Sequence, residues 1–110
     1  MALVSVDREQ ITVAGTAVGF TAAKITPNVI KAVAYVTTAP IRWYANGDAS
    51  TAKGRGGNGT APTSTLGLPA DIDVIVEVVG YQDIQNFRMI RSTGTSAVVE
   101  VEYFGENPDT

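Results

Sequence analysis

Gly54-Arg55-Gly56-Gly57-Asn58-Gly59 has the form G-x-G-x-x-G. Such a run binds a dinucleotide when a strand precedes it and a helix follows, so that backbone amides and the helix dipole meet the pyrophosphate. Here Thr60-Ala61-Pro62-Thr63 follows, which has no helical pattern, so the run reads as a flexible loop. Asp71 and Asp73 are the right types for a carboxylate pair or a calcium site, but no ligand-rich loop surrounds them. They read as a solvated strand edge. Asn58-Gly59-Thr60 matches a glycosylation sequon, which carries no weight without a secretory signal. Histidine and cysteine are both absent. That excludes Ser–His and Cys–His nucleophile pairs, disulfides and cysteine-ligated metals. The expectation is a non-enzymatic chain with no catalytic residue, no cofactor and no metal.

The elements that would hold any site are strands. Apolar residues recur with period two. Ile72, Val74, Val76 and Val78 fall on one face, with Asp73, Ile75, Glu77 and Val79 on the other. Ala97, Val99, Val101 and Tyr103 alternate in the same way with Val98, Glu100, Glu102 and Phe104. Residues 30–36 are apolar except for Lys31 and rich in β-branched types, and shorter strands are expected at 10–13, 18–21, 41–45 and 84–91. Ala14-Gly15-Thr16, Thr26-Pro27-Asn28, Thr37-Thr38-Ala39-Pro40, residues 79–83 and Thr93-Gly94-Thr95 mark turns. No window shows the spacing of an amphipathic helix. About seven short strands separated by turns specify an antiparallel all-β sandwich, Ig-like or jelly-roll. Ile72, Val74, Val76, Phe87, Val99 and Val101 are its expected core. Residues 46–65 hold five glycines and are expected to form a long exposed loop.

A chain of 110 residues suits one domain with a core that needs no staple. The net charge is −3, which gives no basic footprint for nucleic acid. Residues 1–60 carry six basic and three acidic groups, and residues 61–110 carry two and eight. The two ends of the chain thus differ in charge, although strands from both halves interleave in a sandwich. Met1-Ala2-Leu3-Val4 lacks the features of a signal peptide, and no run approaches the length of a membrane helix. Neither a nucleic-acid nor a membrane partner is expected. Trp43 and Phe87 are expected in the core. Tyr81 and Phe104, each beside a turn or the tail, suit a contact surface. Arg88 and Arg91 would face opposite ways on a strand.

Three blocks in order then carry a resemblance. Ile41-Arg42-Trp43-Tyr44 leads to Asn58-Gly59-Thr60-Ala61-Pro62-Thr63, followed by residues 66–68. Next comes Asn86-Phe87-Arg88-Met89-Ile90-Arg91, and last Gly94-Thr95-Ser96-Ala97 with Val101-Glu102-Tyr103-Phe104. Across residues 30–104 the chain resembles a group of small tailed-phage virion structural proteins with the pattern IR(W/Y), DGT-x-PT, FR-x-IR and V-x-YF. It departs from that pattern at Asn58, where the group has aspartate, and in a glycine-rich insertion over residues 48–57. The resemblance implies a capsid decoration (cement) protein on the outside of a virion. Its partners would be the major capsid protein and further copies of itself. A head–tail connector or fibre-base subunit is the nearest alternative. A carbohydrate- or host-surface-binding module using Trp43, Tyr44 and the glycine loop is another.

The attachment surface is expected in the parts least committed to a core, which are residues 1–6, 104–110 and the 46–65 loop. Leu3, Val4, Arg55, Asn58, Thr60, Pro62, Tyr81 and Phe104 are its candidate residues.

Overall fold

Alternating patterns become strands where one face can be buried, and the computed structural model places seven of them in two packed antiparallel sheets. It describes residues 3–47 and 60–106. Arg55, Asn58 and most of the glycine-rich loop therefore lie outside the described residues. The strands are β1 (Leu3–Val13), β2 (Val29–Thr37), β3 (Ile41–Tyr44), β4 (Leu68–Ala70), β5 (Ile75–Val79), β6 (Arg88–Arg91) and β7 (Ala97–Glu106). A 3-10 turn (Ala22–Lys24) and one short helix, α1 (Tyr81–Asn86), complete the described elements. One sheet has the order β1-β7-β2-β5 and the other β4-β3-β6. The expected all-β sandwich is what the chain forms.

The larger sheet is built on β7. Ala97, Val99, Val101 and Tyr103 are buried, and Glu100 and Glu102 between them are exposed, as period two requires. On β2 the inward residues opposite them are small. Ala32 faces Tyr103, and Ala34 faces Val101. The missing bulk on β2 is the room that the tyrosine ring occupies, and both members of that pair are fully buried.

An aromatic relay links the two sheets. The Tyr103 ring meets the edge of Phe20 at 5.7 Å between centroids. Phe20 stacks on Phe87 at 4.5 Å and 2°, and Phe87 lies 5.7 Å from Trp43 on β3. Phe20 is in no strand. Its segment touches the smaller sheet by a single bridge, Val18 to Met89, so the strand expected at 18–21 reduces to one bridge. The Tyr103 hydroxyl donates to the Glu9 carboxylate, which also accepts from Thr21 Oγ1 at 2.5 Å and Thr21 N–H at 3.2 Å. Lys24 Nζ reaches Asp7 at 3.0 Å. These contacts clasp the 20–24 segment over β1. The Arg8 backbone N–H, and then Lys24, hold the Asp7 carboxyl below its usual range.

The structure corrects the expected core at two positions. Ile72 and Val74 are exposed. Residues 71–74 form a turn closed by Val74 N–H to Asp71 O at 3.1 Å, and Asp73 takes φ 72°. The backbone reverses before the alternation begins, so only Val76 and Val78 of that run are buried, beside Val99, Val101 and Phe87. Asp71 caps the Ile72 N–H at 2.8 Å and Asp73 accepts from Tyr35. The two aspartates are turn residues and not one strand face.

The expected strand 84–91 is also corrected, since its first part is α1. Within it Ile84 and Asn86 are buried, and Phe87 just after its end, back in extended backbone, is fully buried too. Gly80 admits the helix with φ 101°, a conformation costly for any residue with a Cβ.

Candidate functional site

Register decides which residues share the outer face of the larger sheet. Pairing across β1, β7, β2 and β5 puts Ser5, Phe104, Lys31 and Val79 in one row. Arg8, Glu102, Val33 and Glu77 form the next, and Gln10, Glu100, Tyr35 and Ile75 the third. Leu3 lies beyond Ser5, opposite Glu106. Two irregularities interrupt these ladders. Val6 is unpaired between Ser5 and Asp7, and Ile30 between Val29 and Lys31. Each inserts one residue and so moves the side chains before it to the other face. The insertion at Val6 brings Leu3 onto the same face as Phe104.

The face has two chemical zones. An acidic ridge runs along β7 through Glu100, Glu102 and Glu106, all exposed. An apolar zone covers β2 and β5 with Val33, Tyr35, Ile75 and Val79. The last two are 58% and 65% exposed, values that stand out for aliphatic side chains on a sheet. Phe104, half-buried, joins the zones. A hollow of about 240 Å³ sits between Arg8, Val33, Tyr35, Glu100 and Glu102.

Partners within the sheet tie down its polar groups. Ser5 Oγ donates to Glu102 at 2.7 Å, Gln10 Nε2 to Glu100 at 2.5 Å, and the Tyr35 hydroxyl to Asp73 at 2.5 Å. That last bond, with the charge of Asp73, raises the Tyr35 pKa. Lys31 Nζ lies 3.4 Å from Glu77.

Beside this face the sheet ends in an open edge. Val36 N–H bonds Val74 O at 3.0 Å and Gly80 N–H bonds Ile30 O at 2.8 Å. The antiparallel alternation between them turns the backbone groups of Val76 and Val78 toward β2 and those of Ile75, Glu77 and Val79 outward. Among the described residues no strand pairs with that edge. Such an edge accepts an added strand, and Glu77 at its centre is a charge that selects what can pair there.

The residues picked from the sequence scatter over the molecule. Leu3 and Phe104 meet on the outer face. Val4 pairs with Gly105 and is half-buried in β1. Residues 3–5 of the terminal segment are thus paired with β7 and are not a loose end. Tyr81 opens α1 and is half-buried, Thr60 is exposed, and Pro62 is buried. Gly47 is buried as well, so the 46–65 segment is anchored at both of its described ends. Trp43 packs on Phe87 and is, like Tyr44, half-buried, at the margin of the core and not inside it. Ile75, Val79, Val33 and Tyr35 were missed. Their signal was present in the odd-numbered face of 73–79, which carries Ile75 and Val79 as well as the charged residues.

Among the described residues no group of three or more Asp or Glu side chains could hold a metal ion, and no helix is long and apolar enough to cross a membrane. No protein-family model matches the chain, and no curated protein or solved structure matches it.

Proposed function

We propose that this protein is a non-enzymatic structural subunit of a bacteriophage virion, of the capsid decoration type. It attaches to the lattice of the major capsid protein through the outer face of its larger sheet. The observation that carries this reading is the pairing of Ile75 and Val79, the two most exposed large aliphatic side chains, with an open strand edge and an acidic ridge on one surface. Burying that zone removes apolar area from water, and the edge adds backbone hydrogen bonds. A neighbour with Lys or Arg opposite Glu100 and Glu102 completes the match.

The resemblance supports the same reading. Its blocks include β3, the first residue of β4, β6 and parts of β7, so they touch each strand of the smaller sheet and one inner strand of the larger one. A capsid presents many identical sites, so modest contacts gain from avidity when subunits also touch one another. A stable contact needs at least about 1,000 Å² in total. One five-residue edge falls short of that, and self-association on the same face supplies the rest.

The test is incubation of purified protein with particles that lack it, followed by sedimentation. Saturable recovery with heads, lost in Val79→Lys, is the expected result. Recovery with tails alone would replace the decoration reading by a connector or fibre-base subunit.

A further inference from the structure

The rim of the smaller sheet holds a second polar surface, far from the capsid face in its chemistry. Arg91 closes β6 opposite Ile41. Its backbone N–H bonds the Ala14 carbonyl at 3.1 Å, which pins the strand end to the link after β1. Gly15 lies beneath the guanidinium there. A Cβ on Gly15 would stand 3.3 Å from Arg91 Nη2 and 3.5 Å from Cζ, so the absence of a side chain makes the seat. Among the described residues the guanidinium has no ion pair and no hydrogen bond. The described ion pairs are Lys24–Asp7 and Lys31–Glu77.

A hollow of about 620 Å³ opens beside it, within the range of about 300–1,000 Å³ common for small-molecule sites. Its walls carry Thr63, Ser64, Ser92 and Thr93, with Ile90 beside them, and among the described residues no carboxylate lines it. Thr63 Oγ1 accepts from the N–H groups of Leu66 and Thr65 at 2.9 and 3.3 Å. Thr93 Oγ1 accepts from Thr95 N–H at 3.2 Å. Those bonds occupy oxygen lone pairs and leave both hydroxyl hydrogens to donate outward. The Ser64 and Ser92 hydroxyls make no hydrogen bond among the described residues, so they can donate or accept. The hollow therefore combines a planar cationic fork, an excess of donors and an apolar side chain.

We propose that this hollow binds an acidic sugar of the hexuronate class, with Arg91 gripping the carboxylate and the serine and threonine hydroxyls meeting the ring hydroxyls. A guanidinium fork matches a carboxylate in two parallel hydrogen bonds. Sugar hydroxyls both donate and accept, as the four side-chain hydroxyls do. This site is separate from the capsid face, and either can fail without the other.

The test is titration of the full 15N-labelled chain, followed by amide NMR, with glucuronate, glucose or N-acetylglutamate amide. Glucuronate should move the amides of Gly15, Arg91 and Thr93 saturably and bind at least about tenfold more tightly than glucose. Arg91→Lys keeps the charge without the fork and should weaken glucuronate about tenfold. Arg91→Met should abolish binding while the Val99 and Val101 amides stay in place. Should that variant not fold, Gly15→Ala, which displaces the guanidinium, must weaken glucuronate instead. No saturable shift, equal binding of glucose, or unchanged binding in the folded variant would overturn the site. Tighter binding of N-acetylglutamate amide would overturn the sugar and assign the hollow to an acidic peptide side chain.

Discussion

Tyr103 on β7 reaches diagonally across to β1 and donates its hydroxyl to the carboxylate of Glu9, two residues along from its direct neighbour Asp7. The ring is fully buried and its hydroxyl ends on a charged acceptor that also holds Thr21. Burial first, and the bond to Glu9 second, raise the phenol pKa well above its ordinary value of 10.0. The folded state therefore keeps a proton that the unfolded state releases. The stability this group contributes is fully present below pH 10 and declines as the pH rises beyond it. Tyr103→Phe should cost about 1–2 kcal/mol at pH 7 and should flatten the loss of stability above pH 10. Urea unfolding of both proteins across that range checks it.

The aromatic relay should be the most sensitive part of the core. Phe87 contacts both Phe20 and Trp43, so Phe87→Ala removes stacking on two sides and leaves a cavity between the sheets. A cost of about 3–5 kcal/mol is expected. That is a large share of the stability of a domain of this size, and thermal unfolding would show a lower, broader transition.

Two glycines with open space around them should respond differently to the same change. A Cβ on Gly80 or Gly94 meets nothing within 4 Å, but only Gly80 has positive φ, +101°. Gly80→Ala should cost about 1–3 kcal/mol through backbone strain, while Gly94→Ala should stay within about 0.5 kcal/mol. Denaturant midpoints for the two variants give the comparison directly.

Charge on the open edge should separate assembly from folding. Val79 is 65% exposed and its backbone groups face outward. Val79→Lys should shift stability by no more than about 0.5 kcal/mol and abolish sedimentation with heads. Glu100→Gln with Glu102→Gln should weaken binding and reduce its dependence on salt, because the ridge is exposed and screened. Unchanged binding in both variants would remove the outer face from the proposal.

Local chemistry made much of the architecture legible. The alternation from Ala97 to Phe104 could bury only one face, and it did so at the expected residues. The β-branched run from Ile30 to Val36 and the proline before Ile41 likewise fixed strands and a boundary. The absence of histidine and cysteine removed whole classes of chemistry before any fold was known. What the sequence left open depended on events between elements. The turn at Asp71–Val74 reversed the chain and put Ile72 and Val74 in water, although the same alternation continues unbroken into Val76 and Val78. The helix at Tyr81–Asn86 buries Ile84 and Asn86 against the sandwich, which no six-residue pattern shows. The outer face came from register alone. One extra residue at Val6 turned Leu3 onto the face of Phe104, and the unbroken register of β2 with β5 set Val79 beside Lys31 and Ile75 beside Tyr35; without that insertion Leu3 would face the other way. Side-chain alternation is a property of each strand, but which strands lie together, and in what phase, is decided only by packing.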